Sequence, residues 1–467
     1  MLLGSVIFNI SIFYLVNHPD PEIKQYSWAV LSSTIAIFVS VLVFKGMQGI
    51  IDTLLSTYVK PVVPNIVEEQ VIIWLRYAVF LVWYVLMYSI IRREARQGGH
   101  CAGTLSVTAT CHELDTKQRL VCWATLFAHM AGFALMSGGE AMQNSQSFSK
   151  VPVLSFIPVL ITAGLEFLLY QLADRVVLGW AKALPKEAVE LIEETSDEAE
   201  TEIGGLSLSF LTVRALTFMI LGHLPQHGGS SGHGPPPLQP VYRTVEFVAL
   251  ALVFVGLTAV LVWLKDKVAV DRMSKQRQRW FLLLQTVAAM CFAWCLMHAL
   301  QWEVARFLRL AMHAGGSLLN PHSTIQRVLQ ALTTSILCLT LIFTLDYLHD
   351  LPSTGDLADS AIRKVIRAIG ILIGFSWEEA FNSGCEAFAD LADHRWGVVI
   401  IKFVLGLMVA VVVVPAWRLY ILKHLILLEG ENRLSHVHSH HTEGYAVVPA
   451  GKVACDAPQE APKAAEH

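Results

Sequence analysis

Apolar runs of about 20 residues recur along this chain, and nothing else in the sequence constrains its fold as strongly. A hydrocarbon core of about 30 Å is crossed by about 20 helical residues. Runs of that kind lie near residues 3–17, 27–44, 71–91, 120–139, 152–173, 205–222, 244–264, 280–300, 328–345, 366–385 and 397–415. The expected fold is therefore an all-α, polytopic transmembrane helical bundle of about eleven helices. It occupies residues 1–428, and a flexible His-rich tail is expected over 429–467.

Composition agrees with this. The chain is 54% hydrophobic and only 15% charged, with a mean hydropathy of +0.52. Soluble domains carry about 25% charged residues and could not hide so much apolar surface. A net charge of -4 without a basic stripe sets nucleic acid aside as a partner. Cys122, Cys291, Cys295, Cys338 and Cys385 lie in apolar runs, where thiols pack rather than cross-link. The opening residues lack the basic start and cleavage site of a signal peptide and read as a transmembrane helix already under way.

Basic residues concentrate in every second connection: Arg92, Arg93, Arg96, Lys117 and Arg119, then Arg175, Lys182 and Lys186, then Lys265 to Arg279, then Arg363 to Arg367, then Arg418 to Arg433. Short basic connections stay in the cytoplasm, which puts the C-terminus there and residue 1 outside. Residues 187–202, EAVELIEETSDEAETE, read as a solvated acidic cytoplasmic loop. Residues 223–240 read as a His/Gly/Pro-rich loop on the far side.

The outgoing segments begin alike, with Lys24-Gln25 before Trp28, Lys117-Gln118-Arg119 before Trp123, and Lys275-Gln276 before Trp280. A phenylalanine follows deeper, at Phe38, Phe133, Phe292 and Phe375. FAW at 292–294 and FSW at 375–377 are each followed by an acid, Glu303 and Glu386. This suggests a repeated two-helix unit, an organisation common in transporters, although Trp and basic residues at an interface are expected anyway.

Ionisable side chains at membrane depth are costly and normally face protein or water. Glu166, Arg214, Glu378 and Glu379 qualify by depth. Opposite charges at one depth favour pairing, so Arg214 is expected to face Glu166 or Glu378/Glu379, either as a site or as a structural ion pair. Toward the outside, His129, Phe133, Ser137, Glu140, Asn144 and Ser147 recur at helical spacing, as do Glu379, Asn382, Glu386, Asp390 and Asp393, and Lys45, Gln48 and Asp52. Such stripes either line an outward vestibule or are the wet faces of protruding helix ends.

Imidazoles at His436, His438, His440 and His441, and at His223 and His227, are weak metal candidates, because neither tract lies in a predicted helix. No HExxH, GxSxG or GxxxxGK[ST] motif is present, which disfavours an enzyme, and the sequence leaves any cofactor unknown. The expected function is a secondary transporter or channel-like protein for small ions or polar solutes, seated in a lipid bilayer. The alternative is a non-transporting scaffold that binds membrane proteins or pigments, with His129 and His298 as candidate contacts.

Overall fold

The computed structural model describes residues 10, 12–59, 65–98, 107–181, 184–224, 239–268, 273–313, 324–351, 355–389, 391–392 and 394–428. Among them there is no strand. After a helical stretch at residues 12–16 come ten long helices: α1 (Pro21–Leu54), α2 (Asn65–Gly98), α3 (Val107–Asn144), α4 (Ile157–Ala181), α5 (Lys186–Leu221), α6 (Val241–Lys267), α7 (Lys275–His313), α8 (Thr324–His349), α9 (Asp356–Ala389) and α10 (Arg395–Ala416). Among the described residues nine helical stretches, on every long helix but α9, are long and apolar enough to cross a membrane. The protein is an integral, multi-pass membrane protein.

Nine of the eleven expected spans fall in these stretches. The first, 3–17, is described only in part. The tenth, 366–385, lies within α9, where Glu378, Glu379 and Asn382 dilute the apolar run. The tail at 429–467 and most of the 223–240 loop lie outside the described residues.

The odd-numbered helices form a closed ring, in the order α1, α3, α5, α7, α9 and back to α1. Their mutual contacts advance in step, which makes them parallel. Ser40 and Gln48 of α1 bond to Leu126 and Ser137 of α3. His129 and Glu140 of α3 meet Glu202 and Arg214 of α5. Asp197 and Ser209 of α5 meet Arg279 and Trp294 of α7. Gln301 of α7 reaches Glu379 of α9, and Lys45 of α1 reaches Glu378. The ring therefore has one mouth formed by five helix N-terminal halves and another formed by five C-terminal halves.

Each even-numbered helix covers an odd one from outside: α2 packs on α3, α4 on α5, α6 on α7, α8 on α9, and α10 returns to α1. Burial follows this division. The most apolar window of α5 is 78% buried, against 6% for that of α10. The exposed faces of outer helices carry Leu252, Val253, Val411 and Val412, which is the surface that lipid requires.

Small residues set the closest approach of α10 to α1. A Cβ on Gly46 would lie 2.8 Å from Phe403 Cα, a backbone atom that cannot swing aside. Gly46→Ala is expected to cost about 1–3 kcal/mol, the range for overpacking, in a detergent unfolding titration. Gly164→Ala, where a Cβ meets nothing within 4 Å, is the neutral control. At the far end Trp417 Nε1 donates to Ser32 Oγ of α1 at 2.8 Å, fixing the antiparallel register.

Residues 187–202 correct the sequence reading. They are not a loop but the first turns of α5. Ala188, Ile192, Thr195 and Ala199 recur at helical spacing and are buried. The acids between them are held by cations of α7: Lys275 pairs with Glu193 at 2.5 Å, and Arg279 pairs with Asp197.

Candidate functional site

Each of the five ring helices sends one buried aromatic side chain into a single cluster: Phe44, Phe133, Phe210, Trp294 and Phe375. Centroid distances run 6.2 Å from Phe44 to Phe133, 5.7 Å on to Phe375, 4.6 Å to Trp294 and 5.3 Å to Phe210. Since α3 and α9 are not neighbours in the ring, the edge-on contact of Phe133 with Phe375 crosses its interior. The cluster closes the ring with apolar surface. Trp294 is fixed by a 3.0 Å hydrogen bond from Nε1 to Ser209 Oγ.

Polar side chains lie on both sides of this closure. Toward the C-terminal mouth, one turn beyond the aromatics, stand Gln48, Ser137, Arg214, and Glu378 with Glu379, with Lys45 directly after Phe44. Toward the N-terminal mouth, His129 lies one turn before Phe133, while Glu202 and Arg367 lie about two turns before Phe210 and Phe375. His129 Nδ1 is 2.8 Å from Thr125 O and 4.0 Å from Glu202, on which the charge of Arg367 acts.

At the C-terminal mouth five acids among the described residues each have a base. Asp52 is 3.7 Å from Arg76, Glu140 meets Arg214, Glu378 is 2.8 Å from Lys45, Glu379 meets Arg327, and Glu386 is 3.4 Å from Lys402. These five carboxylates meet five cations, so the five together form no ring of free negative charge. The stripes read from sequence converge here, but as a neutral belt of ion pairs tying α1, α2, α3, α5, α8, α9 and α10 together. Asp390 lies outside the described residues, as do His436, His438, His440 and His441.

The expected pairing of Arg214 is different from the one observed. Its guanidinium takes Glu140, and Asn144 Oδ1 at 2.6 Å, rather than Glu166 or Glu378/Glu379. The reason is parallel packing: three turns of α5 beyond His129's neighbour Glu202 bring Arg214 level with the end of α3.

Glu166 belongs elsewhere. It projects from the outer helix α4 onto α5, fully buried, where Ser207 Oγ donates to Oε1 at 2.7 Å. Gly204 makes room for it, since a Cβ there would lie 2.9 Å from Glu166 Oε2. Nearby, Tyr84 and Tyr88 of α2 both donate to Glu200 Oε1 at 2.6 Å, and Arg279 lies 3.6 Å from Glu200 Oε2. This second cluster sits outside the ring, between α2, α4, α5 and α7. A solvated reading of 187–202 leaves no place for Glu200; the signal for it in the sequence is Tyr84 and Tyr88, stacked at i and i+4.

Fold and site together define a class, a multi-pass helical membrane protein with a ring of five parallel helices closed by aromatic side chains. Comparison with known proteins finds no matching family, no matching curated protein and no matching solved structure.

Proposed function

We propose that the chain moves small ions or polar solutes along the axis of the five-helix ring, as a channel-like protein or secondary transporter, and that the aromatic cluster is its closed gate. The observation that carries this reading is the meeting of Phe44, Phe133, Phe210, Trp294 and Phe375 inside the ring, with ionisable groups on either side. An apolar constriction between wet vestibules blocks ions by dewetting and opens with small helix shifts. Each outer helix with the inner one it covers is read as one copy of a repeated unit. By the distribution of Lys and Arg, the N-terminal mouth and the C-terminus face the cytoplasm.

Lys45 and Glu378 sit at the lip of the gate and supply its test. Protein in liposomes with a KCl gradient is compared as wild type, Lys45→Gln and Glu378→Gln. Lys45→Gln leaves Glu378 unpaired and shifts the reversal potential toward cation selectivity; Glu378→Gln shifts it toward anions. Shifts in the same direction, or equal to those of a variant in the exposed α3–α4 connection such as Lys150→Gln, would remove the axis as the pathway. Absence of current from wild type and from gate-widened protein alike would favour the scaffold.

A further inference from the structure

Away from the ring axis, five metal-ligating side chains converge where the start of α1 meets the end of α8. Asp20 caps α1 through Oδ1, which accepts from Glu22 N at 2.9 Å. Asp346 and His349 lie in the last turn of α8, and Asp350 follows it. Donor atoms of Glu22, His349 and Asp350 all lie within 4.8 Å of one another, and so do those of Asp20, Asp346 and Asp350. Asp350 belongs to both sets.

The hydrogen bonding of this cluster is incomplete in a way that points to a ligand. Asp346 is only 5% exposed, and its buried Oδ1 has no hydrogen-bond partner. Glu22 Oε2 and both ring nitrogens of His349 are buried and likewise lack one. The charged groups acting most strongly on Asp346 are Asp350, Asp20, Glu22 and His349, with no Lys or Arg among them. A buried acceptor left without a donor is destabilising, and four carboxylates around one imidazole repel each other unless a cation joins them.

We propose that this cluster binds a divalent transition-metal cation, such as Mn2+ or Zn2+, through His349 Nδ1, Glu22 and Asp350, with Asp346 and Asp20 completing the site. His349 Nδ1 lies 3.6 Å from Glu22 Oε2 and 3.5 Å from Asp350 Oδ1. Two ligands about 2.1 Å from a tetrahedral ion stand about 3.4 Å apart, so these donors need little movement to close on one. An imidazole among carboxylates selects a borderline metal over Ca2+, which takes oxygen ligands. Bound there, the ion ties the first turn of an inner-ring helix to the last turn of an outer one, at the N-terminal mouth.

Mn2+ is the probe of choice, because the histidine tracts elsewhere in the chain favour softer ions. Full-length protein in detergent, stripped with chelator, is titrated with Mn2+ by EPR and melted with and without the ion. Wild type is expected to bind Mn2+ and to melt at a higher temperature with it. Asp346→Asn and His349→Ala are each expected to weaken that binding at least tenfold and to lose the melting shift. Glu22→Gln serves if His349→Ala does not fold. Binding in Asp346→Asn and Glu22→Gln that matches wild type, no Mn2+ uptake by wild type, or equal protection by Ca2+ would each overturn the assignment.

Discussion

Liposomes carrying the Phe133→Ala/Phe375→Ala variant are expected to leak ions at least about tenfold faster than those carrying wild type. The two rings meet edge-on at 5.7 Å across the interior of the helix ring, so their loss opens the contact that spans it. Each is buried, at 3% and 6% exposure, and Phe44, Trp294 and Phe210 are held by their own helices and cannot refill the space without a backbone shift. A tenfold change needs the barrier lowered by only about 1.4 kcal/mol, a small demand on the loss of two aromatic rings if the cluster is the proposed gate. Truncating a packed Phe costs about 3–5 kcal/mol of stability, so the milder Phe133→Leu/Phe375→Leu variant accompanies it, with an intermediate leak expected. Phe388→Ala is the control, because that side chain is 57% exposed. Folded protein that leaks no more than this control would mean that the cluster is ordinary packing and that the ring is a solid core.

How much of this arrangement is legible in the sequence depends on whether the signal is local. Helix existence is local, since apolar length decides it, and the runs near 71–91, 120–139 and 244–264 each fall inside a single helix. The Lys-Gln and Trp signature marks α1, α3 and α7, three of the five ring helices, because those ends meet the same interface. Lateral order is not local. Nothing along the chain says that α10 returns to α1, which depends on the facing glycines Gly46 and Gly406 and becomes visible only when the two helices are side by side.

The axial residues show the same limit. Phe133 and Phe375 stand out by their spacing and do reach the cluster, whereas Phe38 instead packs on Phe381 at 4.7 Å and the axial positions of α1 and α7 belong to Phe44 and Trp294. FAW and FSW look alike, yet the first contributes its Trp to the axis, while in the second the Phe is axial and Trp377 turns outward to Ser335 of α8 at 2.9 Å. One residue on a helix is a rotation of about 100°, enough to exchange an axial position for a lateral one, and hydropathy does not distinguish Phe from Trp there. For the same reason depth alone placed Glu166 beside Arg214: two residues at one level can face different neighbours.

Glu140→Ala is expected to destabilise the protein by about 3 kcal/mol, which makes the Arg214 pair the most sensitive member of the ion-pair belt. Arg214 has a side chain only 3% exposed, so loss of Glu140 strands a guanidinium away from water. Breaking a buried pair from one side costs about 3–5 kcal/mol, and Asn144 Oδ1 at 2.6 Å keeps the expected loss at the lower end. Removing both charges in Glu140→Ala/Arg214→Met should recover most of that loss, since neither charge is then left buried. Glu303→Ala provides the contrast: its carboxylate is 45% exposed beside Arg306, and exposed pairs contribute about 0–1 kcal/mol. Unfolding titrations of the four proteins in one detergent measure all of this. A Glu140→Ala loss as small as that of Glu303→Ala would mean that water reaches Arg214 from the C-terminal mouth, one turn from the aromatic cluster.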